Sequence, residues 1–158
     1  MGRFGQVLGI LLVLATNFWV SAGIFQIGEL RRMCTNMSDK WQLKLIEREK
    51  DTPREVIQYK ITRILMELPE DVQDVYKKLL LAERARQDAD FDVDMIVLKN
   101  RGASEHLLDA MEAIRNITLD MSLSLRDERK EIKMIKRSLN KEDQEILQKC
   151  STEDIASH

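Results

Sequence analysis

The sequence predicts an all-α fold, a compact bundle of about six to eight helices. The chain of 158 residues has only six glycines and two prolines and is rich in Leu, Ile, Met, Glu, Lys and Arg, a composition typical of helical proteins. Apolar residues recur at spacings of three and four, and no segment shows strand alternation between turn signals. Without its apolar start the chain still runs from residue 23 to residue 158, which is long enough to bury a hydrophobic core.

One two-helix unit occurs twice in the sequence. The stretch TPREVIQYKITRILMELPEDVQDVYKK (residues 52–78) returns later as the weaker copy SLRDERKEIKMIKRSLNKEDQEILQK (residues 124–149). The matches fall mainly on positions that a helix would bury, such as Ile61 with Ile132, Ile64 with Ile135, Leu68 with Leu139, and Val75 with Ile146. Two copies of one supersecondary unit would keep such positions, and a chance match between two amphipathic helices is the alternative.

Residues 1–22 have the three regions of a secretory signal peptide. Arg3 provides the positive start, VLGILLVLATNFWV the apolar run, and VSA the tripeptide before the cleavage site. The apolar run of about 14 residues is shorter than the roughly 20 that span a bilayer, and an uncleaved anchor is the alternative. We therefore predict an exported protein with one helical domain over residues 23–150 and a disordered tail over residues 151–158.

Capping and breaking residues predict the helix boundaries. Thr52, Pro53 and Glu55 form a capping box at the start of the first repeat unit. Pro69 ends that helix and opens the next, and Gly102 suits the left-handed end of a later one. Other helices are predicted to begin at Ser38, Ser104, Ser124 and Asn140. The helix after Ser38 is predicted to carry the apolar residues Trp41, Leu45 and Ile46.

The acidic segment 88–94 is the one local feature that could bind a small ligand. It carries alternate carboxylates, which are hard oxygen ligands for calcium or magnesium, at Asp88, Asp90, Asp92 and Asp94. Val93 stands where an EF-hand loop needs glycine and Lys99 where it needs glutamate, so a standard EF-hand is ruled out. The alternative is a solvated turn between a helix that fades by Gln87 and a short helix from about Phe91 to Asn100.

Two cysteines and two sequons bear on the exported form of the chain. Export would place Cys34 and Cys150 in an oxidising compartment, so we predict one disulfide between the first and the last helix. Two unpaired thiols or an intermolecular bridge are the alternatives. The sequons at Asn36 and Asn116 predict N-glycans in a eukaryotic chain.

Charge and motif content disfavour several functions. Cleavage would remove Arg3 from the 25 basic groups and none of the 27 acidic ones, and the resulting net charge of −3 disfavours nucleic acid as a partner, because phosphate binding needs a clustered positive field. Charged runs such as residues 126–130 are predicted to be solvated helix surface. The sequence marks no serine or cysteine nucleophile beside either histidine, His106 or His158. The chain also lacks a Gly-rich phosphate loop and the catalytic motifs HExxH and GxSxG. We therefore predict no enzyme activity.

The two helix pairs also carry a family resemblance. An I-x-x-I-x-x-x-L segment runs into LPEDV in the first copy, and the second copy has LNKED at that place. This pattern, over roughly residues 38–149, resembles the small secreted antigens of nematodes, the SXP/RAL family, whose domain is also called the Anisakis-allergen-type cation-binding domain. The resemblance implies a secreted, all-helical, non-enzymatic protein with proposed binding of divalent cations or small ligands. The run VLKNRGASEHLLDAMEAI is similar to the central stretch of the nematode fatty acid and retinol binding proteins, which implies an apolar cavity between helices.

These observations together predict a secreted helical binding or interaction protein without catalysis. Its expected ligand is a divalent cation, calcium or magnesium, or a host or self protein partner. One alternative is a carrier of fatty acid or retinoid in an interhelical apolar cavity. Another is a cytokine-like receptor ligand, a class that also uses export, glycans and a disulfide between distant helices.

Overall fold

Seven helices and no strand make up the part of the chain that the structure describes, which confirms the predicted all-α class. The computed structural model describes residues 25–156, with side chains up to residue 149, so the predicted signal peptide lies outside it. In chain order the helices are α1 (Ile27–Met33), α2 (Met37–Ile46), α3 (Arg54–Met66), α4 (Glu70–Asn100), α5 (Glu105–Leu119), α6 (Leu125–Ser138) and α7 (Lys141–Ala156). Among these helices, none combines the length and the apolar composition that crossing a bilayer requires.

The first hydrophobic cluster joins α1, α2, α3 and the start of α4. Its buried members are Ile27, Leu30, Cys34, Leu43, Ile46, Ile57, Ile61, Ile64 and Tyr76. The hydroxyl of Tyr76 donates a hydrogen bond to the carbonyl of Phe25 and so ties the start of α4 to the residues before α1. Burial raises the pKa of Tyr76 far above its usual value, so this hydroxyl stays a donor at any physiological pH.

The second hydrophobic cluster joins the end of α4 to α5, α6 and α7. Its buried members are Leu98, Leu107, Ala110 and Leu139, and partly buried residues such as Ile135, Ile146 and Leu147 pack against them. A buried hydrogen bond joins the start of α5 to the start of α7. The Ser104 hydroxyl donates it to the Asp143 carboxylate over 2.8 Å. Asp143 is 1% exposed, and its own backbone N–H donates to the Asn140 side chain over 2.8 Å. The predicted helix starts at Ser104 and Asn140 are therefore also points where elements join.

Helix α4 is continuous over 31 residues and runs from one cluster to the other. Tyr76 in the first cluster and Leu98 in the second are separated by about 33 Å of helix. The prediction that the helix fades by Gln87 and that a turn follows is wrong. The buried stripe continues through that region at Phe91, Met95 and Leu98, so the burial of these side chains favours an unbroken helix over a turn.

The other helix ends show where local signals decide and where tertiary contacts override them. Gly102 has a φ of +77° just after α4, as predicted for a left-handed end. The predicted capping box at Thr52 is wrong, because α3 begins at Arg54 without a side-chain cap and the Thr52 hydroxyl donates to Glu49 instead. Helix α2 is capped by Asn36, whose side chain accepts from the Ser38 N–H, and not by Ser38.

Helix α2 has apolar residues on two opposite sides. Leu43 and Ile46 face the first cluster, whereas Trp41 is 57% exposed and Leu45 is 54% exposed. Trp41 and Leu45 each lie two residues from Leu43, which is about 200° of rotation around the helix. They therefore cannot share the buried side, and only Ile46 of the three predicted apolar residues is in the core.

The loops before α3 and α6 pair with each other through backbone hydrogen bonds at equivalent positions of the two repeat units. The Glu55 N–H donates to the Met121 carbonyl over 2.8 Å, and the Arg126 N–H donates to the Lys50 carbonyl over 3.0 Å. The repeat offset takes position 50 to 121 and position 55 to 126, so the two bonds are equivalent, and the bridge between Pro53 and Ser124 shows the same offset. These contacts support the repeat, which stays a prediction.

A side-chain contact follows the same offset. The Gln73 amide donates to the Leu68 carbonyl over 2.9 Å, and the Gln144 amide donates to the Leu139 carbonyl over 2.8 Å. Each contact spans the break between the two helices of its unit. Both units therefore close their interhelical joint with the same hydrogen bond.

Candidate functional site

The acidic residues predicted as metal ligands lie along α4 and do not converge. Asp88 and Asp90 are two residues apart, so their side chains leave the helix on roughly opposite sides. Asp88 accepts from Arg115 over 2.7 Å, and Asp90 accepts from Arg86 over 3.1 Å. Within residues 25–149, no group of three or more His, Cys, Asp or Glu side chains is placed to hold a metal ion. The structure does not bring together the four predicted ligands, which are Asp88, Asp90, Asp92 and Asp94.

The predicted disulfide and glycan sites have different outcomes. Cys34 is 3% exposed and has no disulfide partner among the described side chains, and the pKa of its thiol is raised mainly by burial and further by the nearby Asp39. The side chain of Cys150 lies outside the described residues, so the disulfide has no support in the structure and stays a prediction. Asn36 and Asn116 are both exposed, as glycosylation requires, and their occupancy also stays a prediction.

A groove on α6 and the start of α7 is the strongest candidate for a binding site. It encloses about 430 Å³ and opens to solvent. Buried Ile132 contributes an apolar surface to it, and Gln144, whose amide is anchored on the Leu139 carbonyl, contributes a polar one. The remaining lining consists of four basic side chains, which are Arg129, Lys133, Lys136 and Arg137. We call these four residues the basic quartet.

The sequence of α6 places the basic quartet on one side of the helix. With about 100° of rotation per residue, its four members fall within an arc of roughly 100°. Glu128 and Ile132 are buried and lie next to this arc, with Ile132 about 40° from Lys136, which fixes the rotation of α6 against the rest of the protein. The quartet must therefore point outward, along the groove.

The basic quartet forms no ion pair in the described part of the chain, although buried Glu128 lies close enough to Arg129 for their charges to interact. Other basic side chains do form ion pairs there, for example Arg31 with Glu47 at 2.8 Å and Lys60 with Glu49 at 2.6 Å. Partial desolvation lowers the pKa of Lys136 below its usual value, and no neighbouring carboxylate offsets this effect. The groove therefore has a positive charge that only buried Glu128, near Arg129, partly offsets.

A buried ion pair holds the start of α6 in place. Arg54 and Glu128 are both 0% exposed, and the Arg54 Nη1 and Glu128 Oε2 atoms are 3.2 Å apart. The Arg54 guanidinium also donates to four carbonyls at the end of α5 and in the following loop, namely those of Ile117, Thr118, Asp120 and Leu123. The end of a helix carries partial negative charge, so the cation is stabilised there. Arg54 thus joins the starts of α3 and α6 to the end of α5.

Glu128 has fewer hydrogen bonds than Arg54, its partner in the ion pair. Neither of its carboxylate oxygens has a hydrogen-bond partner in the described residues, although Arg54 lies close by. Desolvation raises the pKa of Glu128 above its usual value, and the attraction of Arg54, a weaker contact with the Thr118 side chain and the charge of Arg129 only partly oppose this. The folded protein therefore binds a proton at Glu128 more tightly than the unfolded chain does.

Replacing Glu128 by glutamine is expected to remove one component of the pH dependence of stability. A raised pKa in the folded state stabilises the protein below the usual glutamate pKa, and this contribution is lost as the pH rises through the folded-state pKa. The free energy of unfolding of the wild type, minus that of Glu128→Gln, should therefore fall as the pH rises from about 4.5 to 8. Urea unfolding at a series of pH values measures this difference. A difference that stayed constant or rose would show that Glu128 is ionised throughout.

Sequence reasoning missed both the basic quartet and the buried ion pair. Charges on α6 were predicted to be solvated surface, and a run of basic residues on a helix usually is. The signal that could have found the groove is the spacing of Arg129, Lys133 and Arg137, one basic residue every four positions. Comparisons with family models, curated proteins and solved structures found no match for this chain.

Proposed function

We propose that this protein is a secreted, non-catalytic binding protein whose ligand is anionic and binds in the groove of α6 and α7. The observation that carries the proposal is the basic quartet, four cations around one groove that form no ion pair within the described residues. Like charges four residues apart on a helix destabilise it by a few tenths of a kcal/mol per pair. Arg129 with Lys133 and Lys133 with Arg137 are two such pairs, and a bound anion would relieve the repulsion in both.

The groove chemistry suits an oxyanion with some apolar surface. Arg129 and Arg137 offer guanidinium groups, which match carboxylate, phosphate and sulfate oxygens in a two-point contact. Ile132 offers an apolar contact, and a volume of about 430 Å³ is within the range of small-molecule sites. An anion beside Lys136 would favour its charged form and so raise its lowered pKa again.

This proposal keeps part of the sequence prediction and changes the ligand. Export, the Cys34–Cys150 disulfide, and glycans at Asn36 and Asn116 remain proposed properties of the mature protein. Binding of calcium or magnesium has no support from the acidic segment, because its carboxylates are dispersed along α4. Fatty acid carriage is the second candidate, since a carboxylate beside Ile132 would meet both features of the groove.

Titration with inorganic sulfate tests the proposal at its simplest. Amide spectra of ¹⁵N-labelled protein should show saturable shifts in residues 129–137 and Gln144 when sulfate replaces chloride at constant ionic strength. The double substitution Lys133→Ala/Lys136→Ala should abolish these shifts, because it removes half of the basic quartet. The matched control Lys77→Ala/Lys78→Ala removes the same charge from α4 and should leave them intact. Shifts that chloride reproduces, or that persist in the first variant, would refute an anion site in the groove.

A further inference from the structure

The basic face of α6 is longer than the groove needs for one small anion. The basic quartet extends over nine positions, from Arg129 to Arg137, or about 12 Å along the helix axis. Lys130 adds a further exposed cation on that side, with no ion pair in the described residues. A single sulfate or phosphate within hydrogen-bond distance of one cation cannot also contact the cation two turns away. The face is thus suited to several negative charges in a row.

The spacing of the cations indicates a linear ligand. Arg129, Lys133 and Arg137 follow one another every four residues, about 6 Å along the helix. All three are exposed, and the groove is open to solvent, so the length of the ligand is not limited by an end wall. A chain that carries one or more anionic groups in every unit could contact each of these cations in turn.

Three other polyanions fit the site less well. Single-stranded nucleic acid gains much of its affinity from bases stacked on aromatic side chains, and the groove lining has no aromatic residue. Duplex nucleic acid needs a broader positive field than one helix face on a chain with a net charge of −2. An extended acidic peptide is usually recognised through backbone hydrogen bonds at a sheet edge, and residues 25–156 form no strand.

We propose that the ligand of this groove is a linear sulfated polysaccharide that lies along the basic face of α6. Its sulfates would contact the basic quartet, with the two arginines making two-point contacts, and its sugar rings would lie against Ile132. The inference rests on the proposed anion site and names the class of its ligand. Such a ligand needs neither aromatic platforms nor a sheet edge. The groove lining contains no aromatic residue and belongs to helices, so it meets both conditions.

Heparin-derived oligosaccharides of two to eight sugars test the length of the site by calorimetric titration of the chain from residue 23 to residue 158. Affinity should rise with each added disaccharide until the oligosaccharide spans the quartet, and then level off. A plot of log Kd against log salt concentration should have a slope of about four, because about one counterion is released for each cation neutralised. The variant Lys133→Ala/Arg137→Ala should bind the longest oligosaccharide about 10- to 100-fold more weakly, with the slope reduced by about two.

The controls test the polysaccharide inference separately from the anion site on which it rests. Lys77→Ala/Lys78→Ala should bind as the wild type does, and fully desulfated heparin should not bind. If inorganic sulfate binds in the groove but affinity does not depend on oligosaccharide length, the polysaccharide inference is wrong and the anion site stands. A polyglutamate peptide or single-stranded DNA of equal charge that binds as tightly as heparin would also overturn it. Absence of both sulfate and heparin binding would remove both proposals.

Discussion

Replacing Arg54 by alanine is expected to lower the free energy of unfolding by about 3–5 kcal/mol. The substitution would leave Glu128 buried without its cation and remove the donor to four carbonyls around the end of α5. It would also create a cavity, because the Arg54 side chain is 0% exposed. Urea unfolding followed by circular dichroism measures the loss.

A double substitution separates the loss of the ion pair from the loss of packing. Arg54→Met/Glu128→Leu replaces both charges by apolar groups of similar size, so it should be more stable than Arg54→Ala at pH 7. Arg63→Ala removes an exposed arginine from the same helix and should change the free energy by less than about 0.5 kcal/mol. A loss below about 1 kcal/mol in Arg54→Ala would mean that the contacts of this buried guanidinium do not hold α3 and α6 together.

Replacing Leu43 by alanine is expected to destabilise the protein by about 2–5 kcal/mol. Leu43 is 0% exposed and lies in the first hydrophobic cluster, so its truncation loses apolar burial and leaves a cavity. The same change at Leu45, two positions along α2 and 54% exposed, should alter stability by less than about 0.5 kcal/mol.

Thermal and urea unfolding of these two α2 variants measure which side of the helix carries its packing. Equal losses at the two positions would contradict the orientation of α2. A larger loss at Leu45 would mean that the helix is rotated, with Trp41 in the core.

The start of α6 could be predicted because its capping contact is local. Ser124 accepts the Asp127 N–H over 3.1 Å, which is the contact that its sequence context predicts. Thr52 failed for a tertiary reason, because the neighbouring Pro53 pairs with Ser124 and the Arg54 N–H donates to the Leu123 carbonyl. Nothing near Thr52 in the sequence indicates a partner in the loop before α6.

The acidic segment shows a second limit of local reasoning. Four closely spaced aspartates predicted a turn, since aspartate is a weak helix former. Two ion pairs reduce the repulsion between these aspartates on α4. Arg86 pairs with Asp90 one turn later, and Arg115 on a different helix pairs with Asp88. Arg115 also stacks over the Phe91 ring at 4.4 Å. The first partner was visible in the sequence, and the second was not.

The basic groove depends on the absence of ion pairs to the basic quartet, which can be seen only in the folded chain. Arg129, Lys133 and Arg137 are ordinary surface residues by type, and the segment around them also contains Glu128 and Glu131. The fold buries Glu128 against Arg54, so Glu128 forms no ion pair with the basic quartet, although its charge still interacts with Arg129. Glu131 is exposed but lies about 200° around the helix from Arg129, so burial of one glutamate and the position of the other leave the groove positive.

The backbone pairing between the loops at Lys50–Glu55 and Met121–Arg126 has the geometry of an isologous contact, in which position i meets j and position j meets i. Between separate chains such a contact closes a twofold dimer, whose population depends on protein concentration. Here a single chain supplies both partners, with α4 as the rigid tether between them. Their association is intramolecular, so it does not weaken on dilution.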